Sequence, residues 1–119
     1  MRGSSAPKRF RVRDPQYLAH VRGMHCLLWD RDPCTCGGFT DLGGRPVTEV
    51  AHVRSRGAGG GDDQVVPLCG RHHGEQHRIG IRSFENRHGL DLAQVARQMR
   101  RRYLEEYVFL APDQQEDRA

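Results

Sequence analysis

The chain has 119 residues, 36% hydrophobic and only 7% aromatic, with 29% charged residues and a formal net charge of +4. That is enough for one domain with a thin core, the kind that disulfides or a bound metal usually staple. No run of 18 apolar residues occurs and the basic, polar N-terminus carries no apolar stretch, so neither a membrane span, a membrane partner nor a secretory signal is expected.

A cytoplasmic address is the resulting expectation, and there Cys26, Cys34, Cys36 and Cys69 are read as metal ligands or free thiols rather than disulfides. Lys8 is the only lysine, so arginine supplies nearly all the positive charge. The guanidinium fork matches phosphate geometry, and a nucleic-acid partner fits that balance.

Residues 1–13 hold Arg2, Lys8, Arg9, Arg11 and Arg13 and read as a flexible basic arm. Asp14-Pro15 has the form of a helix cap followed by proline in the first turn. Tyr17, Leu18 and Val21 would share one face of the short helix it opens, which ends near Gly23. His25 to Gly38 places three cysteines among turn residues. Val47 to Val53 is predicted as a short strand, Arg54 to Asp63 as a glycine-rich loop, and Val65-Val66 as a second strand stopped by Pro67.

From Gly70 the spacing turns helical, so the implied unit is a β-hairpin with a long loop followed by a helix. Ser83 to His88 reads as a short helix that Gly89 ends. Asp91 to Gln94 resembles a capping box and opens a helix over about 91–108, with Leu92, Val95, Met99 and Leu104 on its apolar stripe. Arg97, Arg100, Arg101 and Arg102 on that helix read as a solvated face, the usual fate of a charge run. Residues 111–119 form a polar tail expected to be disordered, which leaves 14–110 as the domain and about 47–80 as its core unit.

Two ligand sets interleave in this unit. Cys26, Cys34, Cys36, Cys69 and His72 offer five soft or borderline ligands to a structural zinc that needs four. Cys69 and His72 have the Cys-x-x-His spacing at a strand-to-helix junction, and Cys26 with Cys34 or Cys36 is the preferred first pair. His73 and His77, four apart, lie on one helical face and suit two nitrogen ligands of a divalent cation. His52 lies on the strand facing that helix. An imidazole not used as a ligand has the right basicity to deprotonate water for attack on a phosphodiester.

The run Pro67-Leu-Cys-Gly-Arg-His-His-Gly-Glu-Gln-His77, preceded by Gly57-Ala-Gly-Gly-Gly-Asp-Asp63, resembles the HNH, or ββα-metal, endonucleases, among them small phage and prophage proteins. The resemblance covers roughly Cys26 to Gly89. It implies an α+β fold: a small ββα-metal (His-Me finger) core with a structural zinc and flanking helices. It further implies His52 as general base, and His73 and His77 as ligands of a catalytic Mg2+, Mn2+, Ni2+ or Zn2+. Gln64 stands where the family usually has an asparagine that orients the strand pairing and the base. Ala51 stands where many members place a further metal ligand, so Glu49, Asp62 or Asp63 becomes a candidate for that role. Arg54, Arg56 and Arg71 flank the site as candidate DNA contacts.

The function this implies is metal-dependent hydrolysis of DNA by nicking or double-strand cleavage, in the cytosol of a phage host, with packaging or recombination proteins as candidate partners. The alternative is a non-catalytic, zinc-containing DNA-binding or recombination-accessory protein that keeps the fold.

Overall fold

The computed structural model describes residues 11–31, 42–43, 48–54 and 60–109. The basic arm up to residue 10, Cys34, Cys36, Arg56 and the tail 111–119 lie outside the described residues. Helix α1 (Pro15–Arg22) starts where Asp14 Oδ1 accepts the Tyr17 N–H at 3.1 Å, with proline in the first turn, and it buries Tyr17 and Val21.

Strands β1 (Glu49–His52) and β2 (Val65–Leu68) pair antiparallel, with Glu49 opposite Leu68, Val50 opposite Pro67, Ala51 opposite Val66 and His52 opposite Val65. The Val53 N–H donates to Gln64 O at 2.9 Å and carries the hairpin one pair further toward the loop. Pro67 does not stop β2, contrary to the reading from sequence. Its carbonyl points away from β1 and accepts the Leu27 N–H at 3.0 Å, so the missing proline N–H falls on that outer edge and costs the ladder nothing. The same bond fastens the Cys26 turn beside the strand.

Helix α2 (Gly70–Ile79) follows β2 directly, with Cys69 as its extended cap residue. Gly80, at φ 92°, turns the chain straight into α3 (Ile81–His88), a corner that an L side chain rarely makes. Gly89, at φ 65°, closes α3 in the left-handed conformation. Helix α4 (Leu92–Tyr103) begins with the Gln94 N–H on Asp91 Oδ1 at 3.1 Å, and Glu85 Oε2 takes the Leu92 N–H at 2.7 Å. The α-helix ends earlier than the expected 108, because Leu104–Phe109 continues as a π-helix.

The core has two parts, one on each face of the hairpin. Ala51, Val66 and Leu68 join Cys26, Leu28, Phe84, Leu92 and Ala96; Val65 joins Tyr17, Val21 and Tyr103. Strand alternation explains the division, since Ala51 and Val66 share one face and His52 and Val65 the other. The architecture is α+β, a two-stranded sheet with helices around it. No helix among the described residues is long and apolar enough to cross a membrane.

Candidate active site and metal centre

Cys26, Cys69 and His72 are all buried and meet at one point, with their ligating atoms within 4.8 Å of one another. His72 Nδ1 lies 3.3 Å from Cys69 Sγ and 3.6 Å from Cys26 Sγ. A tetrahedral zinc with ordinary bond lengths holds sulfur and nitrogen ligands about 3.5 Å apart, so this trio fits such an ion. Each member is placed locally: Cys26 by the turn fastened to Pro67, Cys69 by the end of β2, and His72 by the first turn of α2. Cys34 and Cys36, the other candidate ligands, lie outside the described residues.

Two further residues crowd His72 that the sequence reading did not single out. Glu75 and His88 bring ligating atoms within 4.8 Å of those of His72 and of each other. His88 Nε2 donates to Glu75 Oε1 at 2.8 Å, and Arg87 bonds the other carboxylate oxygen. Burial pushes the Glu75 carboxyl up, but the His88 and Arg87 hydrogen bonds and their charges outweigh it and hold the group below its ordinary value. Glu75 was foreshadowed by its place one helical turn after His72. His88 had no such signal, because the Gly80 corner brings it back from another helix.

The histidines share a separate cleft of about 520 Å³, lined by Val50, His52, His73, Gln76, His77, Gly80 and Ile81. His73 Nε2 and His77 Nε2 lie 3.1 Å apart. Two imidazole ligands on one divalent ion sit about 3.0–3.4 Å apart, so the donor pair suits such an ion. On the far side of its ring, His73 Nδ1 donates to Glu49 Oε1 at 2.7 Å. A carboxylate there fixes the N–H on Nδ1 and turns the Nε2 lone pair toward His77. Glu49 therefore acts on the ring that carries the ligand atom, from behind it.

His52 presents Nε2 inward, 3.5 Å from Asp62 Oδ1, where that nitrogen is buried and makes no hydrogen bond of good geometry. Asp62 is itself 6% exposed. Its Oδ2 accepts the Asp14 N–H at 2.9 Å, and Asp14 Oδ2 in turn accepts from Arg100 at 2.8 Å. A carboxylate beside Nε2 favours the proton on that nitrogen and leaves the lone pair on Nδ1.

The other candidates stand elsewhere. Gln64 lines a cavity of about 570 Å³ against α4, together with Asp63, Arg97, Arg100 and Arg101, and not the histidine cleft. Its side-chain oxygen accepts the Gly61 N–H at 3.4 Å and its backbone bonds Val53 and Gly61, so it closes the loop onto the hairpin. Ala51 is 0% exposed within the core, on the sheet face opposite His52. Arg54 is exposed at the end of the hairpin, and Arg71 lines a cleft on the other side of α2.

A hairpin, a helix seated directly after it, and metal-ready side chains on both define the small ββα-metal class. The family described as "Putative HNHc nuclease" matches residues 34–103, more than half of the chain, and the chain belongs to that HNH nuclease family. No curated protein and no solved structure matches it.

Proposed function

We propose that this chain is a metal-dependent endonuclease that hydrolyses phosphodiester bonds of DNA. The observation that carries the reading is the convergence of His73 Nε2 and His77 Nε2, 3.1 Å apart, in the cleft that also holds His52. His52 Nδ1 takes the proton of a water as its oxygen attacks phosphorus, and Asp62 beside Nε2 stabilises the imidazolium that forms. Glu49 keeps the His73 ring turned toward the ion. His73 and His77 would hold a divalent cation, Mg2+, Mn2+, Ni2+ or Zn2+, and its positive charge would stabilise the phosphate and the departing 3′ oxygen. Cys26, Cys69 and His72, with Cys34 or Cys36 as fourth ligand, would hold a zinc that contributes to folding.

Arg54, Arg56 and Arg71 are the proposed backbone contacts. A phage or prophage setting, with packaging or recombination partners, rests on the resemblance of the glycine-rich loop and Pro-Leu-Cys segment alone. The second reading, a non-cutting DNA-binding or accessory protein, is favoured by Ala51, which offers no donor atom and leaves His73 and His77 as the clear ligands among the described residues. Incubating supercoiled plasmid with zinc-loaded protein and each of the four metals separates the two. Metal-dependent nicked or linear product supports the nuclease; intact plasmid with every metal supports the accessory protein.

A further inference from the structure

The segment just before α1 crosses the loop that carries Asp62. Val12 O accepts the Asp62 N–H at 2.9 Å, and the Asp14 N–H donates to Asp62 Oδ2 at 2.9 Å. One short stretch of chain thus holds both the backbone and the side chain of a buried residue 48 positions beyond Asp14.

Gly61 shows how close the crossing is. Its φ is not positive, so backbone freedom does not explain a glycine there. A Cβ at Gly61 would lie 2.9 Å from Val12 N, 3.2 Å from Val12 O and 2.8 Å from Asp63 Oδ1. Two of those atoms are backbone and cannot swing aside, so any larger residue pushes the crossing segment off the loop.

The far end of the segment is fastened as well. Asp14 Oδ1 caps α1 through the Tyr17 N–H, and Asp14 Oδ2 accepts from Arg100 of α4 at 2.8 Å. The Arg100 guanidinium lies over the rings of Tyr17 and Tyr103, which pack with Val65, the register partner of His52. The packed unit that carries the histidine therefore also anchors the segment.

This arrangement divides the Asp62 carboxylate. Oδ2 is taken by the Asp14 N–H, and Oδ1 is left for His52 Nε2, 3.5 Å away. Without the first bond the carboxylate would turn freely about its last side-chain torsion, which has broad minima. A neutral imidazole with no fixed acceptor exchanges tautomers, and its lone pair then sits on Nδ1 only part of the time.

We propose that Val12–Asp14 is a strap that positions the general base, by locking Asp62 behind His52 and so keeping the lone pair on Nδ1. Asp14, Gly61 and Arg100 are positioning residues that act through Asp62. The strap lies outside the residues 34–103 that match the family. The proposal rests on the nuclease reading and adds to it a part of the reaction centre supplied by the start of the chain.

The test is 15N NMR of the His52 ring in zinc-loaded full-length protein without added catalytic metal, at about pH 8, where an ordinary imidazole is neutral. It is paired with kcat and KM for plasmid nicking in the metal that supports wild-type cleavage. The wild type should show one tautomer, with the proton on Nε2. Gly61→Ala should show a mixture and lose about 10–100-fold in kcat, with KM within roughly twofold. Arg100→Gln leaves the crossing intact and loosens its anchor, so it should move both readouts the same way by less, and it serves if Gly61→Ala does not fold. Asp91→Ala removes the α4 cap; it should lower Tm and leave both readouts at wild type. A wild type with the proton on Nδ1, a single Nε2–H tautomer in the strap variants, or an equal kcat loss in Asp91→Ala contradicts the strap. The tautomer change in a protein that never cuts would sink the nuclease reading and leave the strap standing.

Discussion

Glu49 and His73 form a 2.7 Å carboxylate–imidazole pair between the first strand and the helix that follows the hairpin. That contact links the sheet to the ligand face of α2. His73 and His77 alone could bring their nitrogens together on an isolated helix, but only the strand residue holds the first ring in one tautomer.

Glu49→Gln tests that role. The amide keeps the shape and loses the charge, so divalent-metal affinity at the histidine pair should fall about 10–100-fold by calorimetry. The Glu49 side chain is half exposed, so Tm should move by little. Unchanged metal affinity would remove Glu49 from the account.

Gln64 and His52 should part company under mutation. Gln64 closes the loop and lines a cavity away from the histidines, so Gln64→Ala should cost about 1 kcal/mol of stability and change kcat less than about threefold at a temperature where the variant is folded. A hundredfold loss of kcat would mean that the amide reaches the reaction centre after all.

The cysteine centre should behave as a folding element. Cys69→Ser is expected to lose zinc and lower Tm by ~10 °C or more, and a chelator should do the same to the wild type. Metal analysis beside calorimetry checks both. A metal-free protein that melts like the loaded one would contradict a structural zinc.

Acid should weaken the support under Asp62. Burial pushes the Asp14 carboxyl up, but the hydrogen bond and charge of Arg100 and the Tyr17 N–H outweigh it and hold the group below its ordinary value of 3.8. A depressed folded value means that the stabilisation is complete well above 3.8 and is lost as pH falls through the folded value. Arg100→Gln should therefore lower Tm by about 2–4 °C at pH 7, and the gap should close as pH falls past 3.8 and through the lowered folded value. A gap that persists in acid would show that Arg100 acts through its stacking on Tyr17 instead.

What the sequence revealed was mostly local. The Asp14-Pro15 cap, the Cys69–His72 pair and the His73–His77 pair each depend on a spacing of three or four residues, which a helix turns directly into geometry. Asp62 and Asp63 are neighbours of one type, yet one faces His52 and the other lines the α4 cavity. Only the hairpin register and the loop closure by Gln64 decide which. Pro67 was misread as a stop because its carbonyl partner, Leu27, lies forty residues earlier in the chain. His88 was missed for the same reason, since the two helices must fold at Gly80 before it reaches Glu75.

The most direct measurement is His52→Ala against wild type in a metal-dependent plasmid-cleavage assay, with duplex affinity and zinc content determined on the same preparations. Removing a general base typically costs about 10²–10⁴ in rate. The account predicts a loss of that size in cleavage, with DNA affinity and bound zinc kept. A variant that cuts within a few-fold of the wild type would contradict it.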